Sequence, residues 1–399
     1  MKQTAPLLIS LIIALLAMLG PFAIDAYFPT FDAVAGEFHV PVEKMQLTLS
    51  AYLAAFAFAT IFTGPMSDSF GRRNIILISL VCFLLSSIAT IFVQNLEQMI
   101  IVRIFQGMFG GAGLVVGQAL IRDIFDGEIA QKTLSNVTTI FSLAPAVAPI
   151  LGGFLFVHFG WRAIFIFLSI FTIAVLILVW TSLPETLVPE KRFAFKPRII
   201  FKNYLQILSK PEFLLRIMTH TFGFATAALY ISSSQHFIIK ILKLQPTDFG
   251  WLFIPFVSGM MIGSAISNKL AGKVKGEKLI IYGFLICMAA SIFNIGYTSF
   301  FEPKIPWAVV PIFFYVLGYS IMIPYMTLIT LELLPHMRGT ASAAQNFIRM
   351  NAFALISAIF APLVYDSALK LAICMIVFLL IAAAIWNYCD KKYGIRSIQ

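Results

Sequence analysis

Three charged residues stand deep inside long apolar runs of this sequence: Asp25, Arg103 and Arg349. A charge in such surroundings is costly and is rarely retained without a role in moving a proton, an ion or a charged solute. Asp25 lies near the end of the first apolar run and Arg103 near the start of the fourth. At the helical rise these positions are roughly 6 Å and roughly 9 Å below one membrane surface, which makes a charge-assisted pair geometrically possible. A buried carboxyl holds or releases its proton according to the cations beside it. Movement of Arg103 relative to Asp25 would then load or release a proton, so the two form the candidate proton-coupling pair. The plainer readings are that Asp25 caps or anchors its helix and that Arg103 is a fixed hydrogen-bond donor to neighbouring carbonyls.

Arg349 falls about 16 Å into the eleventh run, close to mid-membrane, with Asn346 on the same helix face. It either satisfies carbonyls of broken helices or binds an anionic group of a substrate. One acid against two arginines makes the interior ill-suited to a lipophilic dication. Tyr27, Gln106 and Gln118 join Asn346 and Arg349 as candidate cavity residues, with Tyr52 and Tyr230 behind them; each could instead be an ordinary interhelical partner. His220 and His236 are titratable groups or simple hydrogen bonders. Arg103, Gly107 and Gly111 recur at i, i+4 and i+8, a face that lets another helix approach closely. Pro145 and Pro149 are one turn apart, followed by Gly152 and Gly153, a pattern that favours a bend.

Helices must position these groups, and composition says in what solvent. The 399 residues are 60% hydrophobic and 12% charged, with a mean hydropathy of +0.92. Ordinary soluble domains are about 45–50% apolar and about 25% charged. Water-soluble enzymes, disordered chains and the usual nucleic-acid binders are thereby excluded. Runs long enough to cross a bilayer fall at about 7–28, 45–66, 75–94, 97–121, 135–158, 161–183, 213–238, 247–269, 278–299, 305–331, 338–363 and 367–389. The expected fold is an all-α polytopic membrane protein of twelve transmembrane helices in two six-helix halves. The first run lacks a cleavage site and is retained as a span.

The net charge of +10 is a topology signal. With the N-terminus inside, 20 of the 28 Lys and Arg residues, Lys2, Arg122, Lys191 and Arg396 among them, face the cytoplasm and 6 face outward. Arg103 and Arg349 make up the remainder. This positive-inside bias places both termini in the cytoplasm. Residues 1–183 form the first half and 213–399 the second. The linker 184–212 contains a basic amphipathic stretch, 195–210, which either lies on the cytoplasmic leaflet or is a solvated connection. Such a six-plus-six arrangement suggests a transporter with its substrate site near the bilayer midplane. Cys82, Cys287, Cys374 and Cys389 lie in apolar runs and show no metal spacing. No metal, cofactor or enzymatic motif is expected.

The string GPMSDSFGRRNIILIS (64–79) resembles the GxxxDxxGRR loop of the major facilitator superfamily. Gly64 and Gly71 would permit a tight turn between helices, and Asp68 can pair with Arg72, Arg73 or a neighbouring cation. The resemblance implies that this loop latches the cytoplasmic side of an outward-facing carrier. The second half's counterpart, SNKLAGKVKGEKL (267–279), lacks the Asp. AIDAYFPTF (23–31) resembles the Asp-x-Tyr-x-Pro signature of the Bcr/CflA branch of drug:proton antiporters. VRIFQGMFGGAG (102–113), followed by Arg122 and Asp123, resembles that branch's R-x-x-Q-G motif. LAPAVAPILGGF (143–154) resembles the antiporter motif, with Ala144 and Ala148 where glycines are usual. The motif's implied role is to keep the outer side closed to proton leak. The whole resemblance implies proton-coupled efflux of small molecules, drugs or antibiotics, by a monomer in the bacterial inner membrane, in contact with substrate, protons and lipid. Arg349 motivates the alternative, a transporter of an endogenous carboxylate metabolite such as a siderophore.

Overall fold

The computed structural model describes residues 6–125, 127–188, 192 and 195–394. Among them, twelve helical segments are long and apolar enough to cross a membrane. In the first half these are span 1 (Pro6–Glu37), span 2 (Val42–Phe70), span 3 (Arg72–Ile91), span 4 (Leu96–Ile121), span 5 (Lys132–Phe159) and span 6 (Arg162–Ser182). In the second they are span 7 (Pro211–Ser232), span 8 (Pro246–Leu270), span 9 (Gly276–Phe300), span 10 (Val310–Glu332), span 11 (Pro335–Val364) and span 12 (Ala368–Tyr393). The orienting charges Lys2, Lys191 and Arg396, and the side chain of Arg122, lie outside the described residues. Large apolar side chains such as Phe58, Leu85, Phe105, Ile170, Leu285 and Leu363 point outward. In water such a surface would drive aggregation; against acyl chains it is the ordinary exterior.

The chain divides into two compact units, Met1–Pro197 and Arg198–Gln399. In the first, span 2 packs along span 4, span 3 lies against spans 4 and 6, and span 1 against span 5. In the second, span 10 packs against spans 8 and 9, and span 7 against spans 11 and 12. The connecting stretch forms a helix over Pro197–Leu208 whose Tyr204 and Ile207 are buried in the second unit.

Several helices break where the sequence analysis drew continuous runs. Span 4 lies on two helices, Leu96–Gly110 and Ala112–Ile124, which meet at Gly111 and run a little past the span. Span 5 likewise lies on two, Gly127–Ser142, which begins before the span, and Ala144–Phe159. Pro145 therefore opens the second segment, where a missing N–H costs no helical bond, and only Pro149 lies within it. Span 10 begins at Val310, because residues 305–309 form a turn. Gly64 is also corrected: it sits inside the helix Met45–Phe70, in ordinary contact with Val115. The turn belongs to Gly71 alone, whose φ of +99° a side-chain-bearing residue rarely adopts.

Candidate functional site

Arg103 is fully buried, and the local sequence explains how it is held. Asn95 caps the helix by accepting a hydrogen bond from the Gln98 N–H (2.9 Å), which sets the register of the turns that follow. One turn beyond Arg103, Gly107 lies directly on the carbonyl of Tyr52, so spans 2 and 4 meet backbone to backbone. That closeness puts the Tyr52 ring 4.5 Å from the guanidinium carbon, with the Tyr27 ring at 5.1 Å. Arg103 Nη1 donates to Gln106 Oε1 (2.6 Å) and to the Ala23 carbonyl (2.9 Å), and Gln106 Nε2 donates to Ser87 Oγ (2.9 Å). Nε and Nη2 make no hydrogen bond among the described residues. A buried charge costs several kcal/mol; charge-assisted hydrogen bonds and two ring faces offset part of that.

Asp25 ends the first helix of span 1, Pro6–Asp25, and is 6% exposed. The expected Asp25–Arg103 pair is not formed: Asp25 makes no ion pair or side-chain hydrogen bond among the described residues. The reason lies in the helix end. Ala23 is in the last turn; the Phe22 carbonyl there still accepts the Ala26 N–H, but the Ala23 oxygen is left without a backbone donor among the described residues and takes the arginine instead. The chain then turns through Ala26 and Tyr27 into a short 3-10 helix, Phe28–Thr30. Gly152 packs on the backbone carbonyl of Ala26 in this turn, and Pro149 and Gly153 are buried beside it. The segment of Pro145, Pro149, Gly152 and Gly153 thus backs the turn that carries Asp25.

The Gly71 turn has its own network. Arg72 pairs with Asp68 one helical turn earlier and with Asp123 (3.1 Å), and Nη1 also donates to Ser67 Oγ (2.8 Å). The backbone N–H groups of Arg72 and Leu187 donate to Glu185 Oε1 at 3.0 and 3.1 Å. A Cβ on Gly71 would strike the Glu185 carboxylate. Arg73 takes a separate course, donating to the Trp180 carbonyl (2.7 Å). Glu185 was missed in the sequence because it sits 113 positions from Arg72 in a polar linker. Ser87, the anchor of Gln106, was hidden in an apolar run.

In the second unit, Arg349 is half-buried and donates to Asn346 Oδ1 (3.0 Å), with the Phe224 ring 5.5 Å from its guanidinium carbon. Among the described residues no carboxylate is paired with it, and its Nε is enclosed without a partner. Tyr319 Oη lies 3.0 Å from His220 Nδ1 and donates to the His220 carbonyl (3.0 Å). Asn294 donates to Tyr230 Oη (2.8 Å). The expected cavity residues therefore separate. Tyr27 and Gln106 are enclosed around Arg103, Gln118 is exposed, and Asn346 supports Arg349. Tyr319 had no distinguishing signal among the many aromatics of span 10.

The sequence model of the Major Facilitator Superfamily matches residues 13–357. A bicyclomycin resistance protein homolog of Haemophilus influenzae is 27% identical, over 98% of both chains. The multidrug transporter MdfA of Yersinia pestis is 27% identical, over 88% of this chain and 85% of its own. Multidrug resistance protein D of Escherichia coli is 25% identical over 86% of each. Among solved structures, a D-xylose-proton symporter superposes with a TM-score of 0.77 over 97% of this chain and 99% of its own, at 16% identity. The human organic anion transporter MFSD10 superposes with a TM-score of 0.68 over 97% and 100%, also at 16%. These two share the fold. With twelve spans, the Gly71 turn network and a family match over most of its length, this chain belongs to the Major Facilitator Superfamily and is a multi-pass membrane transporter of small molecules.

Proposed function

We propose that the protein expels drug-like small molecules from a bacterial cell in exchange for protons, by alternating access. The observation that carries the efflux reading is the near full-length similarity to a bicyclomycin resistance protein homolog, supported by the multidrug transporters. Asp25 is the proposed proton carrier: its carboxyl is enclosed in an apolar helix, and among the described residues no cation pairs with it. Arg103 positions it at second hand, by holding the Ala23 carbonyl in the same last turn. A shift of span 4 against span 1 would move this turn and change what Asp25 meets. Gln118, Asn346 and Arg349 remain the proposed cavity residues. The 20-to-6 charge bias supports cytoplasmic termini and insertion in the inner membrane, and the working unit is proposed to be the monomer.

The test is drug-induced proton movement in energised everted vesicles, with cationic drugs, neutral antibiotics and carboxylate metabolites compared. Collapse of the pH gradient by drugs, lost in Asp25→Asn, is the expected result. A response confined to carboxylates would overturn the efflux reading. A full response from Asp25→Asn would move the proton to another group.

A further inference from the structure

Spans 3 and 6 enclose a groove of about 460 Å³ on the outer surface of the first unit. Its walls include Ile78, Val81 and Cys82 from span 3 and Leu176, Ile177 and Trp180 from span 6. Ile78, Val81, Ile177 and Trp180 all expose large parts of their side chains. The groove lies within the apolar lengths of two membrane spans, so an acyl chain is the solvent available to fill it.

One end of the groove carries a charge. Arg73 lies one turn before Leu77, which also lines the groove, and its guanidinium carbon stands 5.5 Å from the Trp180 ring centroid. Nη2 donates to the Trp180 carbonyl (2.7 Å); among the described residues Nη1 has no hydrogen bond and, unlike Nε, is not enclosed. The contrast with its neighbour is the informative point. Arg72 is neutralised by Asp68 and Asp123, whereas Arg73 has no carboxylate within ion-pair distance among the described residues. Guanidinium groups bind phosphate oxygens through paired N–H donors, and an aromatic side chain beside them sits comfortably at headgroup depth.

We infer that this groove is a binding site for one anionic phospholipid, its acyl chain lying between spans 3 and 6 and its phosphate on Arg73. The charge selects the headgroup: an anionic lipid leaves the pair neutral, while a zwitterionic one brings a second cation for which Arg73 offers no partner. Because Arg73 directly follows the Gly71–Arg72 turn, a lipid held there also braces that turn.

The test uses the purified full-length protein in phosphatidylcholine nanodiscs, with rising fractions of phosphatidylglycerol or of phosphatidylcholine bearing brominated acyl chains. Quenching of Trp180 is read as the difference between wild type and Trp180→Phe. The expected result is half-quenching at an about fivefold lower fraction of the brominated phosphatidylglycerol, the size of one basic side chain's attraction to an anionic lipid surface. Arg73→Gln should make the two lipids equal without weakening the phosphatidylcholine response, and Arg73→Lys should keep part of the preference. Equal quenching by both lipids in the wild type, which needs no variant to fold, would overturn the proposal. So would a preference that survives Arg73→Gln.

Discussion

Asp25→Asn separates a proton-carrying carboxylate from a structural one. Removing one partner of a buried salt bridge typically costs about 3–5 kcal/mol, because the other charge is left alone. Asp25 has no such partner among the described residues, and Arg103 donates its hydrogen bonds to the Ala23 carbonyl and Gln106 Oε1. The amide of Asn is nearly isosteric and removes an enclosed charge, so the variant should lie within about 1 kcal/mol of wild type. For a folding unit of this size, about 2–4 °C per kcal/mol translates this into a midpoint shift of at most about 4 °C, against roughly 6–20 °C for a broken ion pair. Thermal unfolding in detergent reads the first quantity. Drug-driven proton release in reconstituted vesicles reads the second, and should vanish while drug still equilibrates down its own gradient. A midpoint loss of 6 °C or more would refute the reasoning, since it would mean that the carboxylate holds an ion pair in the working protein. Intact proton release would refute the proton assignment separately.

Other outcomes follow from the same geometry. Gly107→Leu should separate spans 2 and 4, costing about 1–3 kcal/mol by overpacking and moving Tyr52 from Arg103, with loss of both thermal stability and efflux. A variant of wild-type stability would mean that the backbone contact yields freely. Arg216 is 3% exposed and pairs with Glu212 at 2.8 Å, so Glu212→Gln should destabilise by about 3 kcal/mol and the double variant with Arg216→Met should recover much of that; an additive double variant would sink the argument. Glu185→Gln weakens acceptance from the Arg72 and Leu187 N–H groups, and transport turnover should change while the thermal midpoint stays within a few degrees. Unaltered turnover would remove Glu185 from the Gly71 network's function. Arg349→Gln should improve handling of lipophilic cations relative to neutral antibiotics, by about tenfold if one like charge worth about 1.4 kcal/mol is removed. An unchanged ratio in efflux assays would place Arg349 outside the substrate path.

Twelve spans and their approximate positions were readable because lipid imposes one rule on every stretch of chain, enough apolar residues to cross with all backbone groups bonded internally; the breaks in spans 4 and 5 and the late start of span 10 were not. The Gly71 turn was readable for a related reason, since its loop string places glycine, carboxylate and two arginines within a few residues. Local sequence also marked Asp25, Arg103 and Arg349, because a charge stands out in an apolar run. What their side chains do was another matter. Depth along a helix put Asp25 and Arg103 level, but rotation about each axis and the vacant carbonyl of Ala23 decided that the arginine binds backbone. Glu185 reaches Arg72 across 113 positions, and Gly152 rests on Ala26 across a span pairing that no periodicity encodes. Hydrophobicity acts residue by residue and is written in the order of the chain. Partner choice among buried polar groups depends on which helix faces meet, and only the packed helices settle that.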